Sequence, residues 1–204
     1  MQERAIRTRQ AVLEAARAVF AEVGYDGARV DEIAQRSGSN KQRIYAYFGS
    51  KENLFAAVQA EALAAIAACE TDLLPRIEAE PAAIARILVE GYLRFHDEQP
   101  QFWRLLAWAN LGTLAPSAGT PERTAVLARL RKAFTKAQAE GAVAAGLGFE
   151  AWFVTLTAVV LFLFANQKTA TVNLGLRLDR AVTRRRIVDE VVTVLEGAGT
   201  GATA

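Results

Sequence analysis

The chain has 204 residues, of which 52% are hydrophobic and 23% are charged, and its formal net charge is +2. This composition excludes a disordered chain, and the length allows one domain or a small domain joined to a larger one. A single cysteine excludes an intrachain disulfide, and the first ten residues, MQERAIRTRQ, lack the apolar run of a signal peptide, so we expect a cytoplasmic protein.

The first fifty residues predict three helices. The first covers about residues 3–23 and should end at Gly24 in a left-handed cap. A short second helix is stopped by Gly38, and a third helix over about residues 41–48 has an N-cap at Asn40. A short helix, a glycine turn and a second short helix together predict a helix-turn-helix, whose second helix can enter the major groove of DNA.

The third predicted helix carries side chains of the kinds that contact DNA. Ile44 and Phe48, four residues apart, should face the core and leave the opposite face free. Gln42 suits adenine and Arg43 suits guanine, while tyrosine hydroxyls and lysines can bind phosphates. The residues that we expect to contact DNA from this helix and the next one are Lys41, Gln42, Arg43, Tyr45, Ala46, Tyr47 and Lys51.

The positive charge of the chain is concentrated around this helix. Residues 36–51 contain four cations and no acid, although the whole chain is nearly neutral. A local basic face is the electrostatic signature of a phosphate-binding surface. The alternative is an ordinary solvated face, and charge alone does not distinguish the two.

Residues 9–58 resemble the DNA-binding domain of the TetR family of transcriptional regulators. The resemblance is carried by the segments GYDG, SGSN, IYAYF and SKENLF and by the spacing V-x-x-IA. It implies a homodimer, a palindromic operator and a small-molecule inducer, with Tyr47 and Lys51 at phosphate-contacting positions. Two departures concern the helix cap and the turn: Arg29 replaces the usual Ser or Thr cap, where its guanidinium could still reach a phosphate, and Ser39 replaces an aliphatic residue. In addition, Arg43 replaces a common small residue, so the base specificity should differ from that of typical members.

The remainder of the chain predicts more helices, and the fold class is therefore all-α. The predicted helices lie at about 51–74 (after an N-cap at Ser50), 81–98, 100–110, 121–140, 149–168 and 179–196, with prolines between several of them and a loop at 111–122. We expect an N-terminal three-helix helix-turn-helix domain over 1–50, a larger helical ligand-binding and dimerisation domain over 51–196, and a flexible tail over 197–204.

The segment 151–165, AWFVTLTAVVLFLFA, contains no charged residue. A membrane span needs about 20 apolar residues, and this run is shorter. The TetR resemblance implies instead that this helix pairs with the helix at 179–196 and with their copies in a dimeric four-helix bundle. An ordinary core helix is the remaining alternative.

A second cluster combines aromatic rings with a few polar groups. The residues that we expect to line an effector pocket are Tyr92, Phe95, His96, Trp103, Trp108 and Asn110. Such walls suit a small apolar or aromatic effector, but aromatic side chains at helical spacing are as often plain core. His96 is the only histidine, so no metal or other cofactor is expected, and Cys69 reads as a buried apolar group.

These patterns favour a ligand-responsive repressor over an enzyme. One histidine cannot supply a convincing Ser-His-Asp set, and no glycine-rich phosphate loop follows a strand. The partners that we expect are double-stranded DNA, a second copy of the chain and a small effector, with no membrane. The alternative is a helical ligand-binding or protein-interaction module whose helix-turn-helix is vestigial.

Overall fold

A computed structural model of the chain describes residues 2–112 and 121–197, and within these ranges it contains ten α-helices, one short 3₁₀ turn and no strand. The all-α prediction is confirmed. The predicted loop at 111–122 and the predicted tail at 197–204 fall largely on residues 113–120 and 198–204, which lie outside the described residues.

The helices form two compact units. The first unit draws on residues 1–65 and 99–120, and the second on residues 66–98 and 121–204. The first contains α1 (Gln2–Gly27), α2 (Val30–Ser37), α3 (Lys41–Phe48), the N-terminal half of α4 (Lys51–Ala79), and α6 (Phe102–Leu111). The second contains the rest of α4, the 3₁₀ turn Pro81–Ala83, α5 (Ile84–Glu98), α7 (Pro121–Ala139), α8 (Phe149–Ala165), α9 (Gln167–Leu174) and α10 (Ala181–Gly197).

The boundaries of the two units differ from the predicted domain boundaries, because parts of α4 and α6 belong to the core of the first unit. Leu54 and Val58 of α4 are completely buried in the same apolar cluster as Phe20 of α1 and Ile44 of α3. Leu105 of α6 joins this cluster with 3% of its surface exposed. The helix-turn-helix therefore depends for its core on residues far away in sequence.

Most predicted helix ends are confirmed because they are fixed by local capping. Asn40 accepts a hydrogen bond from the backbone N–H of Arg43, at 2.9 Å, and Ser50 accepts one from Asn53, at 3.1 Å. Gly38 ends α2 in the left-handed conformation, with φ 63° and ψ 24°. At Gly24 the prediction was wrong in detail, because φ 71° is combined with an extended ψ of −177° and the chain continues as a further helical turn to Gly27.

Two predicted boundaries in the second unit were wrong. The helix at 51–74 continues through Pro75 to Ala79, because the burial of Leu74 and Ile77 outweighs the hydrogen bond that proline removes. The helix at 149–168 ends at Ala165 and gives way to α9 across an 85° bend at Asn166. The hydrophobic run before the bend gave no signal of this break.

Among the described helices, α4 alone is long and apolar enough for a membrane crossing by length and composition, and α8 becomes so only when it is joined to α9. Core helices of folded proteins meet the same criteria. Leu54, Val58, Leu74 and Ile77 of α4 are fully buried, whereas most of the other residues of this helix are half-buried or exposed.

Candidate DNA-binding surface and effector region

The outer face of α3 presents the side chains that were predicted to contact DNA. Ile44 and Phe48 are buried, as the spacing predicted, and they anchor α3 on α1 and α2. The residues of this helix that remain exposed are Lys41, Gln42, Arg43, Tyr45 and Ala46, and Tyr47 is half-buried. A helix with one anchored apolar face and one exposed polar face has the form that a recognition helix needs.

Acidic residues from α1 and α2 neutralise part of the positive charge around α3. The Arg36 guanidinium donates to both carboxylate oxygens of Glu22, at 2.8 Å each, and to Glu32, at 2.6 Å. These hydrogen bonds lower the pKa of Glu22 and raise that of Arg36. Arg36 therefore links α1 to α2 through ion pairs. The local sequence, which contains no acid between residues 36 and 51, did not predict these ion pairs.

Lys41 is paired in a similar way. Its Nζ lies 2.8 Å from Oδ1 of Asp31, in the first turn of α2, and this hydrogen bond raises the pKa of Lys41. Both side chains are largely exposed, so the pair is open to exchange with a phosphate. Asp31 lies on a different helix from Lys41, so the charge pattern of residues 36–51 did not indicate this pair.

Lys51 is held at the start of α4 by an aromatic ring. Its Nζ lies 4.4 Å from the centre of the Tyr25 ring, in a cation–π contact. The Tyr25 hydroxyl donates a hydrogen bond to Glu52 at 2.5 Å. Burial and, to a smaller extent, this hydrogen bond raise the pKa of Tyr25 to about 12. The same hydrogen bond lowers the pKa of Glu52 to about 2. Tyr25, Lys51 and Glu52 thus fix the first turn of α4 beside α1.

The two departures from the family pattern have visible structural results. Arg29 occupies the N-cap of α2 with extended backbone, and its side chain makes no capping hydrogen bond. Its side chain is exposed. Ser39 is half-buried, and its hydroxyl oxygen is buried without a hydrogen-bond partner. Both positions therefore lack a stabilising contact that the usual residue would supply.

The six residues predicted to line an effector pocket fall in both units. Tyr92, Phe95 and His96 are buried in the second unit, whereas Trp103, Trp108 and Asn110 belong to the first. The Tyr92 hydroxyl donates to the buried Glu70 at 2.5 Å. Each group of three therefore has contacts within its own unit, and their common role in an effector site stays a prediction.

His96 lies among aromatic rings. Its imidazole stacks on Phe164 with 4.9 Å between ring centres and meets Phe95 edge-on at 5.6 Å. Burial lowers the pKa of His96 to about 4, so the ring is neutral at pH 7. In the first unit, Asn110 is exposed and donates to the carbonyl of Leu106, while the Trp108 ring packs against Gly24.

Known families match most of the described chain. The family described as bacterial regulatory proteins of the tetR family matches residues 12–58, and the tetracyclin repressor-like C-terminal domain matches residues 81–195, more than half of the chain. The chain belongs to the TetR family. The resemblance that was seen in residues 9–58 is thereby confirmed and extended to the second half of the sequence.

Several relatives in the TetR family are repressors by name. The HTH-type transcriptional repressor NicS of Pseudomonas putida is 37% identical over 110 residues, which are 53% of this chain and 51% of NicS. The HTH-type transcriptional repressor SCO4008 of Streptomyces coelicolor is 36% identical over 104 residues, 51% of this chain and 50% of SCO4008. The chain thus spans about half the length of the curated relatives that it matches.

The fold matches a solved structure over nearly its whole length. The crystal structure of SCO4942 from Streptomyces coelicolor superposes with a TM-score of 0.69 and covers 92% of this chain and 97% of that chain, at 24% identity. At this identity the match establishes the fold alone. The named relatives are transcriptional regulators rather than enzymes.

Proposed function

We propose that this protein is a transcriptional repressor that binds a palindromic operator as a homodimer and releases it when a small molecule binds. The exposed face of α3 carries this proposal, because it combines base-reading groups at its centre with phosphate-binding groups at its edges. Gln42 and Arg43 would read bases in the major groove, and the small Ala46 would let the helix approach closely. The repressor relatives of the TetR family support the same conclusion.

Phosphate contacts would come from residues around the rim of α3. Tyr45 and Tyr47 offer hydroxyls on either side of the helix, and Lys51 offers a positive charge that the Tyr25 ring holds in place. Arg29 is exposed at the start of α2 and uncommitted to capping, so its guanidinium is also available for a phosphate. Lys41 can join them by exchanging Asp31 for the DNA backbone.

The homodimer would form through α8 and α10. Apart from the charged Glu150 in the first turn, the exposed residues of α8 recur at helical spacing and are apolar or small: Ala151, Val154, Thr155, Ala158, Phe162 and Ala165. Val154 and Phe162 are 62% and 47% exposed, a substantial apolar area for a single protomer. A two-fold axis along such a face brings two recognition helices to one DNA duplex, and successive major grooves require them to lie about 34–36 Å apart.

The effector would be a small apolar or aromatic molecule, and it would act through the populations of two states of the dimer. α4 begins at Lys51, which would contact DNA, and it contributes residues to both units, so a change in α4 reaches both. A ligand shifts the balance between the states only by its differential affinity for them. We place this regulator in the cytoplasm, where its operator would be, and assign it no catalytic role.

Two measurements test the proposal. Selection from random DNA duplexes, followed by mobility shift, should yield a two-fold symmetric site with half-sites one helical turn apart, or a multiple of it. A vestigial helix-turn-helix would instead give no sequence preference beyond weak binding that disappears with salt.

Light scattering should give twice the mass of one chain for the wild type. Val154→Glu places a charge on the exposed face of α8 and should yield a folded monomer with much weaker operator binding. Val172→Glu on α9, where the valine is 83% exposed, is the matched control and should remain dimeric. A wild-type monomer would contradict the dimer and the palindromic operator together.

A further inference from the structure

A cavity of about 100 Å³ lies between the N-terminal half of α4 and α6, entirely within the first unit. Six of its described lining residues are apolar, among them Ala62 and Leu63 of α4 and Leu105 and Leu106 of α6. The seventh is Gln59, which is 7% exposed and supplies an amide. None of the six residues predicted to bind the effector is among these seven.

The chemistry of the walls defines what could occupy this cavity. An enclosed apolar cavity of about 150 Å³ in an engineered protein accepts benzene. This cavity is smaller but open to solvent on one side, so it suits a single ring or a short branched chain. No charged side chain occurs among the described lining residues, and burying an ion there would be costly. The occupant should therefore be neutral and mainly apolar, with one group that can hydrogen-bond to the Gln59 amide.

The α6 wall of the cavity is also part of the DNA-binding core. Leu105 lines the cavity and packs in the same buried cluster as Phe20 of α1 and Ile44 of α3. One turn further along, Trp108 presses on α1 at Gly24, where an added Cβ would lie 2.7 Å from its ring. A molecule that widens the space between α4 and α6 would therefore act on the helix that packs against α1, and the recognition helix rests on α1.

We propose that this cavity is an effector site for a small neutral compound, such as a monocyclic aromatic with one hydroxyl, and that its occupation lowers operator affinity through α6 and α1. The inference rests on the proposed function, since it needs an operator to release. It differs from the aromatic cluster considered above in placing the ligand inside the DNA-binding unit itself.

Binding is tested on the full-length protein without DNA. Benzene and phenol serve as probes, and leucine-methyl NMR follows Leu63, Leu105 and Leu106 during the titration. We expect saturable shifts at these methyls with a Kd of about 0.1–1 mM for phenol, given its few heavy atoms. Gln59→Leu should weaken the affinity for phenol at least fivefold and should change the affinity for benzene less than twofold. An absence of saturable shifts at these three methyls would overturn the proposal.

A pair of alanine substitutions on α4 supplies the control. Ala62→Met fills the cavity and should reduce phenol affinity at least tenfold, whereas Ala64→Met adds the same side chain at an exposed position of the same helix and should change it less than twofold. If Ala62→Met does not fold, the wild-type methyl titration still decides the question. Equal phenol affinity in the two folded variants would contradict the assignment.

The regulatory half is tested with an operator obtained by selection. Saturating phenol should weaken operator binding at least fivefold in the wild type and in Ala64→Met, but less than twofold in Ala62→Met. Phenol that binds in the cavity and leaves operator affinity unchanged would overturn the proposed regulation. Failure to bind any operator without phenol would refute the proposed function instead, and the two failures are therefore distinguishable.

Discussion

Replacing Gly24 with alanine should destabilise the DNA-binding unit by about 2–6 kcal/mol. Gly24 combines φ 71° with ψ −177°, a conformation that is essentially restricted to glycine, and forcing another residue into it costs about 1–3 kcal/mol. The new Cβ would also lie 2.7 Å and 2.8 Å from two atoms of the Trp108 ring, and overpacking of this kind costs a further ~1–3 kcal/mol.

Urea unfolding followed by far-UV circular dichroism measures this loss, and Gly38→Ala is the matched control. Gly38 has φ 63°, but a Cβ there meets nothing within 4 Å, so only the backbone cost of about 1–2 kcal/mol is expected. In a Trp108→Ala background, Gly24→Ala should reduce the free energy of unfolding only by the backbone contribution, because the clash with the ring is absent. A loss of stability in Gly24→Ala no larger than in Gly38→Ala would contradict the clash with Trp108, and so would a loss that stays the same after Trp108 is removed.

Three further predictions concern charge and burial. Asp31→Asn frees Lys41 for a phosphate, so operator binding should strengthen. The slope of the logarithm of the binding constant against the logarithm of the salt concentration should steepen by about 0.9. An unchanged slope in mobility shifts at several salt concentrations would place Lys41 away from DNA. Ser39→Ala removes a buried hydroxyl that has no hydrogen-bond partner and should raise the free energy of unfolding by about 1 kcal/mol in urea titrations, whereas a loss of stability would reveal a missed contact. The pKa of His96 falls from about 6.5 in the unfolded chain to about 4 in the fold, so the unfolded state takes up the proton first as the pH falls. The free energy of unfolding should therefore decline by about 3 kcal/mol between pH 6.5 and pH 4. His96→Leu should remove this part of the decline, and an identical pH profile of stability in the variant would contradict the prediction.

The helix-turn-helix could be predicted from the sequence because its determinants are local. Asn40 and Ser50 cap their helices through residues three positions away, and Gly38 provides the turn. The buried and exposed faces of α3 follow from its helical period alone. Here a short window of sequence contains nearly all the relevant interactions.

Features that depend on distant residues could not be predicted in the same way. The pairing of Arg36 with Glu22 joins positions on different helices, so the charge pattern alone overstated the free positive charge near α3. The return of α6 to the first core through Leu105, and with it the cavity against α4, depends on tertiary packing. The continuation of α4 through Pro75 likewise reflects burial that outweighs local propensity.

We infer that α3 reads base sequence while Lys51 contacts only the DNA backbone, and parallel selections on two variants test this division of roles. Wild type, Arg43→Ala and Lys51→Ala are each used to select from the same pool of random duplexes, and the bound sequences are compared. We expect Lys51→Ala to keep the wild-type preference with uniformly weaker binding. Arg43→Ala should lose the preference at one base pair in each half-site, a loss of about 1–3 kcal/mol of discrimination. An Arg43→Ala protein that selects the wild-type sequence unchanged would contradict the account.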